Sequence, residues 1–400
     1  MNKFEMAVVA RLALVSALLL ALSTPLHAAG SMIDLGVLAD DPPSVVTGIS
    51  ADGAVVVGMG SIKGLPHAFR WTKSAGIVNL DSQAPGVIRS LGVGVSADGA
   101  TVVGNFAGTD GHSRIFRWTQ SGGMADLGFL PGNKRGSASG ISDDGAVVVG
   151  ESSAADDSDN KVFRWTQSGG MVGLSPLPGA LSSGASGISA DGVVVVGNST
   201  DVAGNNQAFR WTQSGSTVGL GFLPGATTSR AEFVSANGTV VVGRSGVPGV
   251  NDQAFRWTQS AGMVALGVLP GGTQTSITGL SANGSVMVGY GDIGKGRYRA
   301  FRWTQSGGMV ILKDLPPGYE HSYATAVSAD GSVVVGHLGT REGHLQAFRW
   351  TKSAGMMDLG MLPGYIMSTA TRVSSDGAVV VGQGHSHGNR AFRWEAGSGK

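Results

Sequence analysis

The 400-residue chain contains no cysteine. An oxidising compartment is therefore permitted, but no disulfide framework can hold the fold together. Charge is scarce as well: 14% of residues are Asp, Glu, Lys or Arg, and the formal net charge is +1. No basic stripe exists, which argues against nucleic acid as a partner. The one long apolar run, "LALVSALLLAL" at 12–22, is too short to favour a membrane span. No segment after it carries a helical period.

Residues 1–28 have the plan of a secretion signal. Lys3 and Arg11 flank the start, the apolar run follows, and "LHA" ends on the small residue Ala28, where cleavage is expected. The mature chain, 29–400, then has no integral membrane segment and is expected to act outside the cytoplasm, in the periplasm, at the cell surface or free in the medium.

Glycine is abundant, with 66 copies, and much of it is periodic. The triplet Phe-Arg-Trp occurs eight times and accounts for every tryptophan: Trp71, Trp118, Trp165, Trp211, Trp257, Trp303, Trp350 and Trp394, spaced 44 to 47 residues apart. A second marker, Ser-x-Asp/Asn-Gly before a valine-rich run, keeps the same spacing. Each unit reads as four strands, here A to D. In the third they are "GSASGIS" (136–142), "AVVVG" (146–150), "VFRWT" (162–166) and "MVGL" (171–174). Asp-Gly or Asn-Gly between apolar runs is a strong hairpin signal. Four short antiparallel strands per repeat of about 46 residues predict an all-β, eight-bladed β-propeller.

The two ends fit that ring. The last unit stops after strand C at "AFRWEAGSGK" (391–400), while "MIDLG" (32–36) stands alone at the other end in the style of a strand D. Pairing them closes the last blade and leaves no open edge.

Connectivity sorts the loops into two faces. The repetitive A–B and C–D turns share one face. The B–C loops and D–A crossovers share the other and vary from blade to blade, so recognition is expected there. The eight tryptophans and their phenylalanines read as core between blades. The repeated arginine (Arg70 to Arg393) points to the opposite side of strand C and needs a partner, which a turn carboxylate or carbonyl can supply. The turn acids, such as Asp52 and Asp98, give way to Asn237 and Asn283, as a turn tolerates and a carboxylate-dependent calcium site would not.

The phrases "HAFRWT" (67–72), "LGFLPG" (127–132) and "ISADG" (49–53) resemble the HAF-repeat family of extracellular bacterial proteins, and they recur over essentially the whole mature chain. The resemblance implies a secreted or surface-displayed repeat protein, in a family where many members are attached to an outer-membrane autotransporter barrel. His-Ala-Phe is intact only at His67-Ala68-Phe69, so a histidine function repeated in every unit is not implied.

Two functional readings follow. The first is a non-catalytic, adhesin-like propeller binding an extracellular glycan or protein through its variable face. The second is a propeller enzyme (lyase, hydrolase or oxidoreductase) with an unfamiliar site. No phosphate loop or nucleophile elbow is present, and the tryptophan motif lacks the Thr-Gly context of quinone-dependent dehydrogenases. The sequence favours the first reading and requires no cofactor. One candidate metal site stands out: His321, His337, His344, His385 and His387 belong to blades seven and eight, and His67 to the adjoining blade one. Glu320, Glu342, Asp40 and Asp41 lie in the same connections. Imidazole with carboxylate suits zinc, nickel or copper; the simpler alternative is ordinary loop histidines.

Overall fold

A computed structural model describes residues 30–39, 43–156, 159–247, 252–386 and 388–397. The expected signal segment 1–28, Asp40, Asp41 and His387 lie outside the described residues. The described chain is strand and turn, arranged as eight separate four-stranded antiparallel sheets. Each sheet is one blade of an eight-bladed propeller. From blade to blade, only the A strands touch one another all the way round, so strand A lines the central channel and strand D the rim.

Seven blades use four consecutive strands. The eighth pairs Asn389–Ala396 with Gly30–Asp34 from the other end of the chain, Met32 opposite Trp394 and Asp34 opposite Phe392. The closing strand therefore begins two residues before the expected 32–36. The expected Leu35 continues the contact through its N–H to the Ala391 carbonyl (3.0 Å), and its side chain is buried between the first and last blades.

The Ser-x-Asp-Gly turn explains itself chemically. Ser50 Oγ donates to Asp52 Oδ1 (2.6 Å) and accepts from the Val55 N–H (2.9 Å), while Asp52 Oδ1 also accepts from the Ala54 N–H. Asn237 and Asn283 accept the same bonds through their amide oxygens, so this slot needs an acceptor and not a charge. Gly53 holds φ at +71°, and a Cβ there would lie 2.6 Å from Val379 of the preceding blade. Both facts require glycine.

These turns join into a belt. The N–H of Ala51 reaches the Ala97 carbonyl, Ala97 reaches Asp143, and so on through Ala190, Ala236, Ala282, Ala329 and Ser375, which returns to Ala51, all at 2.7–3.0 Å. The repeated arginine adds a second set of ties. Its Nε donates to the turn-glycine carbonyl of the next blade in seven cases, from Arg70 to Gly99 through to Arg393 to Gly53. Arg70, Arg117 and Arg349 also lie over the tryptophan of that next blade.

The aromatic core needs one correction. The phenylalanines are its centre: all eight in the repeated triplet are 0–2% exposed. Trp71, Trp165 and Trp394 are buried, but Trp118, Trp211, Trp257, Trp303 and Trp350 are half-buried. Phenylalanine sits mid-strand against the valines and alanine of the preceding blade, as Phe116 does against Val55, Val57 and Ala68. Tryptophan, two residues on, lies near the end of the strand by the C–D turn.

Candidate functional site

The repeat makes most positions equivalent, so a site should appear where equivalence breaks. It breaks at one pair of positions near the variable face. The residue after the glycine of strand B pairs with the second core position of strand A. The pair is Val45–Met59 in blade one, Leu91–Asn105 in two, Ser137–Glu151 in three and Gly184–Asn198 in four. It becomes Arg230–Arg244 in blade five, Ser276–Tyr290 in six, Tyr323–His337 in seven and Thr369–Gln383 in eight. Glu151 of blade three aside, the ionisable and aromatic side chains at this pair gather in blades five to seven.

Blades six and seven turn this pair into an aromatic–imidazole cluster. Tyr323 is the hub. Tyr290 meets it edge-on with centroids 5.0 Å apart, and His337 stacks on it at 5.0 Å. Tyr298, the first residue of strand Tyr298–Thr304, stacks at 5.7 Å, and His321 at 6.1 Å. The members are held from outside. His321 Nδ1 accepts from the Tyr298 N–H (3.3 Å), and the Tyr298 hydroxyl accepts from Gln274 Nε2 (3.1 Å).

His337 has the most perturbed chemistry. Its Nδ1 is buried and has no hydrogen-bond partner. Burial, helped by the nearby charge of His385, pushes its pKa down to about 4, so the ring is neutral at physiological pH. Burial also raises the Tyr323 phenol, with Tyr298 and Tyr290 adding to the effect. The cluster is apolar and π-rich, with a neutral imidazole stacked on its hub.

The five described histidines of the expected metal site are not brought together as ligands. His321 and His337 come together, but around tyrosine. His385 spends Nε2 on the Thr369 hydroxyl and Nδ1 on Asn389 Oδ1, both at 2.9 Å. The side chain of His344 is exposed. His67 is paired through Nδ1 with Asp81 Oδ2 (2.8 Å) in blade one. Among the described residues, no three His, Cys, Asp or Glu side chains stand together as metal ligands. Tyr290, Tyr298 and Tyr323 lie on strands, where no loop pattern points to them. The signal was available: all five tyrosines of the chain fall within 290–365.

No family model matches the chain and no curated relative does, so the likeness to HAF repeats rests on the repeated phrases. Solved structures do match. The dipeptidyl peptidase 4 of Porphyromonas gingivalis aligns with a TM-score of 0.59 at 10% identity, over 90% of this chain and 58% of that one. Puromycin hydrolase aligns at 0.53 and 16% identity, over 90% and 61%. An oligogalacturonate lyase in complex with manganese aligns at 0.52 and 11% identity, over 92% and 98%.

The chain shares the propeller fold of these proteins. At these identities the likeness establishes the fold alone, and the chain spans about three-fifths of the two hydrolases. The solved propellers named here are a peptidase, a hydrolase and a lyase, which runs against the expectation of a non-catalytic, adhesin-like module without enzyme activity. No helix among the described residues is long and apolar enough to cross a membrane.

Proposed function

We propose that this protein is a propeller enzyme of the lyase type, acting on acidic oligosaccharides outside the cytoplasm, with the cluster on blades six and seven as its active centre. The observation that carries the reading is His337, a neutral imidazole with its pKa near 4, stacked on Tyr323 within a wall of tyrosines. Aromatic faces receive the apolar faces of sugar rings. Hydrolysis of a glycoside ordinarily uses a pair of carboxyl groups, whereas this cluster is built of tyrosine and histidine. Elimination needs a general base and a general acid, and imidazole and phenol are groups of those two types; the low pKa keeps His337 unprotonated and ready to accept, at the cost of basicity.

In that reaction the imidazole of His337 takes the proton from the sugar carbon beside the carboxylate. The released electron pair forms the carbon–carbon double bond, and the glycosidic C–O bond on the adjacent carbon breaks. The Tyr298 hydroxyl oxygen accepts a hydrogen bond from Gln274 Nε2, which orients the phenol and leaves its O–H to donate to the leaving oxygen. The match to oligogalacturonate lyase over 98% of that protein's length supports the reading, since there the propeller is nearly the whole enzyme. In the test, purified mature chain and its His337→Ala and Tyr298→Phe variants are given oligogalacturonate. Loss of turnover in both variants, with unchanged melting, is expected. Full turnover in His337→Ala would reject the assignment.

A further inference from the structure

Below the aromatic cluster, a cavity of about 680 Å³ opens along the inner strands of blades four to eight. Its wall departs from the repeat at three positions. Glu232 occupies a slot that is Ser or Thr in six other blades and Val93 in one; Phe233 and Arg372 occupy a slot that is glycine in five blades and Ala326 in one. All three line this one cavity.

Arg372 faces the open channel without a carboxylate partner among the described residues. Its Nη1 donates to the carbonyl of its own neighbour Thr371 (2.9 Å). Water reaches the guanidinium within the channel, yet the surrounding strands still depress its pKa by desolvation. Such a group favours an anion. Glu232 does not serve: its Oε1 is taken by Arg244 Nε (2.5 Å), and its pKa is raised by burial in spite of that pair.

The remaining wall limits what the anion is attached to. Ser186, Thr278 and Thr325 each donate their hydroxyl proton to a carbonyl of the next blade, at 2.6–2.8 Å. Towards the cavity their oxygens can then only accept, so they suit a ligand rich in hydroxyl donors. Phe233 offers an apolar face beside them. We infer that the central cavity is a binding site for a sugar acid, with its carboxylate on Arg372 and its hydroxyls on the Ser/Thr oxygens. The inference rests on the acidic-sugar reading only for the kind of sugar.

The experiment is calorimetric titration of the mature protein with galacturonate and, separately, with neutral galactose. Arg372→Gly restores the residue that five blades carry and should fold normally; Arg372→Lys keeps the charge without the fork. Galacturonate is expected to bind, galactose not, and Arg372→Gly to weaken binding about 10- to 100-fold, with Arg372→Lys between. Galactose binding as well as galacturonate, or undiminished galacturonate binding to a folded Arg372→Gly variant, overturns the inference. Turnover is measured separately, so a chain that binds galacturonate through Arg372 but cleaves nothing would defeat the lyase reading alone.

Discussion

Arg393 in the last blade donates its Nε to the carbonyl of Gly53 in the first, at 3.2 Å across 340 residues of sequence. The same bond joins other consecutive blades, so the junction between the chain ends is built like any other. Two further ties confirm it: the Ala391 N–H donates to Ser44 Oγ (2.9 Å), and Asp34 pairs with Arg390 (2.8 Å). Deleting residues 29–38 should expose the strand of Phe392 and Trp394 along its whole edge. The expected result is a broadened, less cooperative thermal transition or aggregation, seen by calorimetry and light scattering. An unchanged transition would contradict closure.

The two repeated aromatics should separate on truncation. Phe255 is fully buried and Trp257 half-buried. Phe255→Ala is expected to cost about 3–5 kcal/mol, and Trp257→Ala clearly less, by chemical denaturation of each variant. Equal losses would mean that the two rings share one environment.

The arginine ties give an internal control. Arg210 Nε donates to the Gly238 carbonyl at 3.1 Å, whereas Arg256 Nε is buried without a partner. Arg210→Met should destabilise by roughly 1–3 kcal/mol, since a carbonyl is left unpaired. Arg256→Met has no such bond to lose and should cost less, as a pair of melting curves would show.

Most of the ring was legible in the sequence because each blade must bury the same face against its neighbour, and identical demands leave identical residues. The periodic Phe-Arg-Trp, the glycine turns and the split last blade all follow from that. That the arginine needs a partner at the turn was legible too; that the partner is the glycine carbonyl and not the turn carboxylate is decided by the structure. The site was harder to see. Tyr323 and His337 are adjacent only through the strand pairing of blade seven, and Glu232, Phe233 and Arg372 meet only across the channel. Loop histidines drew attention through their spacing, yet His67 is committed to Asp81 and His385 to Thr369 and Asn389.

Acid should loosen the fold through His337. The unfolded chain takes up this proton below the ordinary value of 6.5, while the native ring stays neutral down to about 4. The unfolded state therefore binds more protons between those values, and stability rises with pH through that window. As pH falls from 6.5 to 4, about 3 kcal/mol is expected to be lost. His337→Gln, which borrows the residue of blade eight at this position, should flatten the dependence in urea titrations at pH 4.5 and 7. An equal slope in both proteins would place the buried proton elsewhere.

Catalysis by elimination leaves its mark in the mass of the products. Incubation of the wild-type mature chain with oligogalacturonate, followed by mass spectrometry, should yield fragments with an unsaturated terminal sugar and no added water. Fragments that have each gained a water molecule, or an untouched substrate after prolonged incubation, would contradict it.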